Sequence, residues 1–379
     1  MSDDAGEMTM ERLHAMYDKM LDETVRIPGQ PAWIMLCGYA IGETAEFCAL
    51  AKAFVEHHGH GIILLITPKH VSVANMYAHR FLKVVVVPDE HMHAMLRSGY
   101  IPQDRFELDQ PISACWIDRG FRDSDGIKYL GRYPERGGIS ETDMMRFVLR
   151  LPWNAKLEAP YIAPEAEQRA MALAQEKGLR LGRSVLLCPI NNSARRFPDL
   201  FWSTVAARLQ ERGYTVFTNM GGLKPHNGPE TMPVQGTIPV DLPIELVIPF
   251  AHLCGRMISG GNGMCFLTFL GNLKSFKMTQ ILPVSKDVQV GHSSLGFRAP
   301  YQEKGGELIS AFQYLSPELC LDAPLSEYLL QWDADEATMV EQALMVADDN
   351  TSDARCIKRL AGNGRPYIEE HADWLRDLA

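Results

Sequence analysis

Residues 256–271 read RMISGGNGMCFLTFLG, and the pattern of this stretch recurs through the chain. A short apolar run ends in three glycines around Asn262, and apolar residues then return at helical spacing at Met264, Leu267 and Leu270. The pattern predicts a strand, a tight loop and a helix. Glycine lets such a loop approach a ligand closely, and the N–H groups that open a helix carry partial positive charge. The stretch is a candidate phosphate site, while a glycine-rich turn that binds nothing is the alternative.

The composition is that of a globular protein with more than one core. A length of 379 residues favours two domains. The 46% of hydrophobic and 22% of charged residues are typical of folded, water-soluble chains. The net charge of −10 disfavours a general nucleic-acid binder, because such proteins carry a basic face. We therefore expect no nucleic-acid partner.

Cysteine usage and the terminal sequence predict a cytoplasmic protein. The eight cysteines are scattered without a C-x-x-C pair, which predicts reduced thiols in the core and neither disulfides nor a zinc site. Residues 1–10 are acidic and polar, unlike a signal peptide. No apolar run approaches the roughly 20 residues that span a bilayer. The basic segment 119–136 allows peripheral membrane contact at most.

The first half of the chain alternates predicted strands and helices. Strands are predicted at 32–37, 61–67 and 83–88, and helices at 11–24 and 43–56. This alternation indicates βαβ units and a parallel sheet, in which ligands bind beyond the carboxyl ends of the strands. Glu43 lies at such an end, in the first turn of a helix. The helix dipole alone can account for an acidic residue there, and a general base is the functional alternative.

A proline- and alanine-rich linker at 152–164 precedes a second run of the same pattern. A strand at 184–189 leads into the polar loop 190–198, which contains Arg195 and Arg196. Two arginines at the carboxyl end of a strand suit a phosphate group, because guanidinium groups present fixed donors to its oxygens. Solvated surface arginines are the alternative. Further helices are predicted at 165–177, 199–212, 242–253, 335–346 and 366–378.

Three segments, in order along the chain, resemble the GT-B glycosyltransferases, and specifically the heptosyltransferase-like family 9. Segment 34–68 has Gly42-Glu43 where the family has Gly-Asp, segment 188–213 has a polar loop, an aromatic-Pro pair and a Trp-containing helix, and segment 242–271 includes the stretch quoted first. The resemblance implies an α/β GT-B fold, that is, two Rossmann-like domains with a cleft between them. It implies an acceptor-binding domain at 1–160, a nucleotide-sugar-binding domain at 161–350, and C-terminal helices at 351–379 that pack back toward the N-terminal domain.

The resemblance also implies an activity and the residues that perform it. Glu43 stands where the family's catalytic Asp deprotonates the acceptor hydroxyl, and Arg195 stands where a basic residue contacts the diphosphate. The residues expected at the nucleotide diphosphate are Asn191, Ser193, Arg195, Arg196, Asn262, Gly263, Met264 and Cys265. The implied reaction is an inverting transfer from a nucleotide-diphosphate sugar to a glycan, lipid-linked or protein acceptor, without a metal or other cofactor.

Two alternatives to a glycosyltransferase are open. Gly261 and Phe266 stand where the family has Asp and His, which favours a non-catalytic nucleotide- or glycan-binding module on the same frame. A dinucleotide-dependent oxidoreductase would share the glycine-rich turns. It is disfavoured because neither glycine cluster has the G-x-G-x-x-G spacing and no acidic residue ends the strand at 61–67.

Overall fold

The chain folds as two units, each built on a parallel sheet. The computed structural model describes residues 10–37, 40–97, 112–114, 145–146, 149–152, 155–190, 197–221, 232–260, 263–271, 276–282, 326–331 and 336–347. The units are Met1–Trp116 and Ile117–Ala379. The parallel α/β class predicted from the sequence is confirmed. The domain boundary near residue 160 stays a prediction, and the predicted C-terminal helices at 351–379 lie outside the described residues.

The first unit carries a four-stranded sheet in its described part. Its elements are α1 (Met10–Met20), a π-helical turn (Leu21–Val25), β1 (Ala32–Cys37), α2 (Ile41–His58), β2 (Gly61–Ile66), a 3-10 turn (Pro68–His70), α3 (Val71–Asn75), a 3-10 turn (Ala78–Arg80), β3 (Lys83–Val86), α4 (Asp89–Arg97) and β4 (Ile112–Ala114). The strand order is β3-β2-β1-β4, with every neighbouring pair parallel. The three strands predicted before residue 90 are confirmed.

Both faces of this sheet are covered by helices. Alternate residues of β1, among them Ile34 and Leu36, pack with residues of α1 and α4 such as Tyr17 and Met92. On the opposite face, the ring of Trp33 meets that of Phe54 of α2 edge to face, with centroids 5.7 Å apart. Because neither face meets water, β1 and β2 are apolar along nearly their whole length.

The second unit carries a six-stranded sheet in its described part. Its elements are α5 (Pro164–Glu176), β5 (Ser184–Cys188), α6 (Asp199–Glu211), β6 (Thr215–Asn219), β7 (Ile238–Val240), α7 (Ile244–Cys254), β8 (Arg256–Gly260), α8 (Gly263–Leu270), β9 (Lys277–Leu282), β10 (Ser326–Gln331), α9 (Glu336–Ala343) and a 3-10 turn (Leu344–Ala347). The strand order is β10-β9-β8-β5-β6-β7, again parallel throughout. The strand, loop and helix predicted over 256–271 are confirmed as β8 and α8, whereas the sequence does not place β7, β9 or β10.

Helices α6 and α9 share one face of the second sheet, where their apolar side chains form a single core with β5, β6 and β8. On the opposite face, Phe217 of β6 meets Phe250 of α7 edge to face, with ring centroids 5.5 Å apart. Polar contacts fix the end of α9. The buried Tyr214 hydroxyl donates to the Ala347 carbonyl at 2.8 Å, and Arg208 of α6 pairs with Glu341 at 2.9 Å.

We expect Tyr214→Phe to lower the free energy of unfolding by about 1–2 kcal/mol, because it leaves the Ala347 carbonyl without its buried donor. Urea denaturation followed by tryptophan fluorescence measures the change. Tyr161→Phe is the matched control, since Tyr161 is 60% exposed and the same substitution there should change stability by less than about 0.5 kcal/mol. Equal effects of the two substitutions would contradict the anchoring role of Tyr214.

Candidate active site

The sheet of the second unit changes winding direction between β5 and β8. From β5 the chain continues to β6 and β7 on one side, and it returns to β8 on the other side of β5. The last residue pair between the two strands joins Cys188 to Ser259, and the Ser259 hydroxyl lies 3.2 Å from the Cys188 carbonyl that it can donate to. The loops that follow β5 and β8 therefore begin side by side. In open parallel sheets this switch point is where ligands bind.

Three of the predicted diphosphate-site residues open α8 next to this switch point. Gly263 begins the helix, and the side chains of Met264 and Cys265 are buried beneath it. Because these side chains face the core, a ligand at this helix start would meet backbone N–H groups and not the side chains of Met264 and Cys265. Such N–H groups point out of the first turn of a helix.

The other predicted diphosphate-site residues are Asn191, Ser193, Arg195, Arg196 and Asn262, and all of them lie outside the described residues. They follow β5 and β8 directly in sequence. Their roles therefore stay predictions.

Two buried thiols of the second unit lie at the ends of elements, Cys188 at the end of β5 and Cys254 at the end of α7. Burial raises the pKa of the Cys188 and Cys254 thiols far above its usual range, and the neighbouring Cys265 raises that of Cys188 further. These thiols therefore stay protonated and unreactive at neutral pH. The five cysteines in the described part of the chain are buried thiols that form no disulfide.

The turn after β6 forms the neighbouring part of this edge. The buried Asn219 side-chain oxygen accepts a hydrogen bond from the Gly221 amide at 2.9 Å, and the Met220 amide donates to the Val240 carbonyl at 2.7 Å. A methyl group at Gly221 would overlap the backbone of Leu242, so only glycine fits. Asn219 is not among the residues predicted from the sequence, although its amide side chain follows the end of a predicted strand, as Asn191 does.

The sheet of the first unit has its own switch point at β1. The chain proceeds from β1 to β2 and β3 on one side, while β4 pairs on the other side. Glu43 lies in the first turn of α2, immediately beyond the carboxyl end of β1, where the sequence analysis places it. The residue is half-buried, and its Oε2 atom is shielded from solvent. Its role as a base stays a prediction.

A buried polar cluster lies beside Glu43, and we call it the His70 cluster: Cys37, Thr44, Thr67 and His70. The Nδ1 atom of His70 lies 3.4 Å from the Thr44 hydroxyl and 3.5 Å from the Thr67 hydroxyl. The Cys37 thiol lies 3.6 Å from the same Thr44 hydroxyl. This cluster is not predicted from the sequence. The pattern that could have indicated it is Thr67 and His70, two polar residues just after the carboxyl end of β2.

His70 is neutral at physiological pH. The residue is 2% exposed, and burial lowers its pKa to about 4, with a further lowering by Lys69 and a partial opposing effect of Asp89. The hydrogen bonds then assign the tautomer. The Thr44 hydroxyl donates its one proton to the Ala40 carbonyl at 2.9 Å, and the tautomer with the ring proton on Nδ1 is the one that can then donate to Thr44.

The described part of the chain lacks two other kinds of feature. Those residues contain no cluster of three or more His, Cys, Asp or Glu side chains that could hold a metal ion. They also contain no helix that is long and apolar enough to cross a membrane.

A solved glycosyltransferase of family 9 shares this fold. The glycosyl transferase family 9 structure from Veillonella parvula DSM 2008 matches with a TM-score of 0.50 at 13% identity, over 94% of this chain and 100% of that chain. E. coli ADP-heptose lps heptosyltransferase II matches with a TM-score of 0.48 at 10% identity, over 83% of this chain and 98% of that one. No protein-family model and no curated protein sequence matches the chain. The first match confirms, at the level of fold, the resemblance to family 9.

Stability should depend on pH through His70. Its pKa is about 4 in the folded chain and about 6.5 in the unfolded chain, so only the unfolded state gains a proton as the pH falls between these values. We expect the free energy of unfolding to fall by about 2 kcal/mol from this group between pH 7.5 and pH 5. Urea denaturation at the two pH values measures the loss.

The control variants isolate the histidine. His70→Asn removes the titrating ring and should lose less stability between the two pH values than the wild type. His252→Asn, at an exposed position of α7, should behave as the wild type does. An unchanged pH dependence in His70→Asn would contradict the assignment.

Proposed function

We propose that this chain is a glycosyltransferase that transfers a sugar from a nucleotide-diphosphate sugar to a glycan, lipid-linked or protein acceptor. One observation carries the proposal. The segments singled out from the sequence follow the strands that flank the switch points of both sheets, namely β5 and β8 in the second unit and β1 in the first. The fold shared with the Veillonella parvula family 9 structure supports the same conclusion.

The donor is proposed to bind at the carboxyl edge of β5 and β8. The backbone N–H groups of Gly263, Met264 and Cys265 would face the diphosphate, together with the guanidinium groups of Arg195 and Arg196. Negative charge builds up on the diphosphate as its bond to the sugar breaks, and a fixed helix terminus and guanidinium groups stabilise that charge. The buried side chains of Met264 and Cys265 hold these amides in place, so little reorganisation is needed during the reaction. In this proposal no metal ion is required.

The acceptor is proposed to be activated by Glu43. Its carboxylate would take the proton of the acceptor hydroxyl while the hydroxyl oxygen forms a bond to the anomeric carbon. The bond from that carbon to the diphosphate oxygen breaks on the opposite side, so the anomeric configuration inverts and the nucleoside diphosphate leaves with the bonding electrons. The proposal requires Glu43 to face the donor edge across a cleft between the two domains.

A second candidate function is a non-catalytic nucleotide- or glycan-binding module on the same frame. The observation that favours it is Gly261 and Phe266, which stand where the resembled family has Asp and His. Such a module would bind a nucleotide without turning over a nucleotide sugar. Binding and turnover must therefore be measured separately.

We expect one nucleoside diphosphate to raise the melting temperature in a screen of ADP, UDP, GDP, CDP, CMP and NAD. A ligand at about 100 times its dissociation constant stabilises the folded state by about 2.7 kcal/mol, which corresponds to a shift of several degrees. Arg195→Ala should abolish the shift. Arg169→Ala should retain it, because Arg169 is 59% exposed on α5 and pairs with Glu245. A shift with NAD alone would overturn the proposal in favour of the oxidoreductase.

We expect Glu43→Gln to lower kcat by about 10²–10⁴-fold and to leave nucleotide binding intact, because the amide cannot accept the acceptor proton. Release of nucleoside diphosphate measures turnover, with sugars of the nucleotide found in the screen and panels of glycan, lipid-linked and peptide acceptors. Glu56→Gln is the control, at the 66% exposed far end of the same helix, and it should not change turnover.

The outcomes of this assay separate the two candidate functions. Nucleotide binding without turnover by the wild type would favour the binding module. Full turnover by Glu43→Gln would refute the role of Glu43 as the base.

A further inference from the structure

Among the described residues, no side-chain hydrogen bond caps the start of α2. Its N-cap residue is Ala40, which has no side chain that could cap the helix. The Ala40 carbonyl instead accepts two hydrogen bonds from Thr44, one from the amide at 3.0 Å and one from the hydroxyl at 2.9 Å. Thr44 thus closes the turn, and Glu43 lies inside the segment that it closes.

The His70 cluster fixes Thr44 in turn. With its proton donated to Ala40, the Thr44 hydroxyl can accept a hydrogen bond from the Nδ1–H tautomer of the neutral His70 ring, whose Nδ1 atom lies 3.4 Å away. The Thr67 hydroxyl, just after β2, lies near Nδ1 of His70, and the thiol of Cys37, at the end of β1, lies near the Thr44 hydroxyl. The cluster therefore joins both strand ends to the turn that carries Glu43.

Burial limits what His70 can do. Cys37, Thr44, Thr67 and His70 are all buried, so none of them can touch an acceptor or a donor sugar. The charged groups around the ring are Lys69 of the same 3-10 turn and Asp89 of α4, which pair with each other at 3.6 Å. An effect of His70 on the reaction must pass through Thr44 and the turn of α2.

We propose that His70 is a positioning residue for Glu43, which it holds at the carboxyl edge of β1 through the Thr44 hydroxyl. This inference rests on the proposed function of Glu43 as the general base. Small displacements of a catalytic group lower turnover steeply, whereas they leave binding at another site unchanged. His70 should therefore influence kcat and leave KM for the donor as it is.

Two substitutions by amide side chains test whether the contact with the Thr44 hydroxyl depends on Nδ1 of His70. The side-chain nitrogen of Asn ends near the position of Nδ1, and that of Gln ends near Nε2. His70→Asn should therefore keep the bond to Thr44, and His70→Gln should lose it. A second pair acts from the other side: Thr44→Ser keeps the hydroxyl, and Thr44→Val removes it at nearly constant shape.

Hydrogen–deuterium exchange of the full chain measures how often the first turn of α2 opens, and it needs no substrate. We expect the backbone amide of residue 44 to exchange about tenfold faster in His70→Gln and Thr44→Val than in the wild type. In His70→Asn and Thr44→Ser it should exchange close to the wild-type rate. Val25→Ala controls for loss of stability alone, since Val25 is buried in the core beneath α1 and away from this turn in sequence. Equal exchange in the Asn and Gln variants, or the same increase in Val25→Ala, would overturn the inference.

Turnover is then measured below the melting temperature of each variant, with the nucleotide sugar that the wild type uses. We expect kcat to fall about 10–100-fold in His70→Gln and Thr44→Val, with KM for the donor unchanged and with rescue in His70→Asn and Thr44→Ser. Faster exchange without a fall in kcat would refute the positioning role. A wild type without turnover would refute the proposed function, while exchange would still decide whether His70 holds the turn.

Discussion

The parallel pairing of β5 with β8 is the contact on which the second unit depends. It brings together strands that lie about 70 residues apart in sequence, and it lets the chain wind outward in both directions from one central strand. Helices on both faces bury β5 and β8 completely, so the middle of each strand is apolar and the polar residues Ser184, Arg256 and Ser259 lie at or next to the strand ends. Ser259, Asn219 and the start of α8 lie at the carboxyl edge, which is where ligands bind in open parallel sheets.

The first turns of α8 and α2 are held in place by different kinds of contact. At α8 the apolar side chains of Met264 and Cys265 hold the first turn, which leaves the backbone amides as the groups that can meet a ligand. At α2 the polar His70 cluster holds the turn, and the group proposed to act there is the side chain of the half-buried Glu43. Buried polar groups are tolerated at α2 because the hydrogen bonds of the cluster satisfy them and because His70 remains neutral. Backbone N–H groups at a helix start can bind an anion, and a carboxylate can accept a proton.

Local patterns predicted the elements that have strong periodicity or clear turn residues. β1, β5, β8 and the helices that follow them were found because uninterrupted apolar runs end at glycine or polar residues. β7 and β10 were not placed, since one has only three residues and the other mixes polar and apolar residues without a clear period. For the candidate site, Glu43 and Gly263–Cys265 were identified from their position after a strand. His70 was not, because its importance comes from a contact with Thr44, which is 26 positions earlier in the chain.

The sequence by itself determined the parallel α/β class, the resemblance to family 9 and the helix starts at which function is proposed, because each of these depends on neighbours within one turn or one strand. The tertiary structure decided the strand order, and with it which loops begin side by side. It also decided that the side chains of Met264 and Cys265 face the core, and that His70 is buried and neutral beside Thr44. The physical reason is that burial and pKa depend on groups that meet only when distant segments pack together, and no local pattern of residues specifies those contacts.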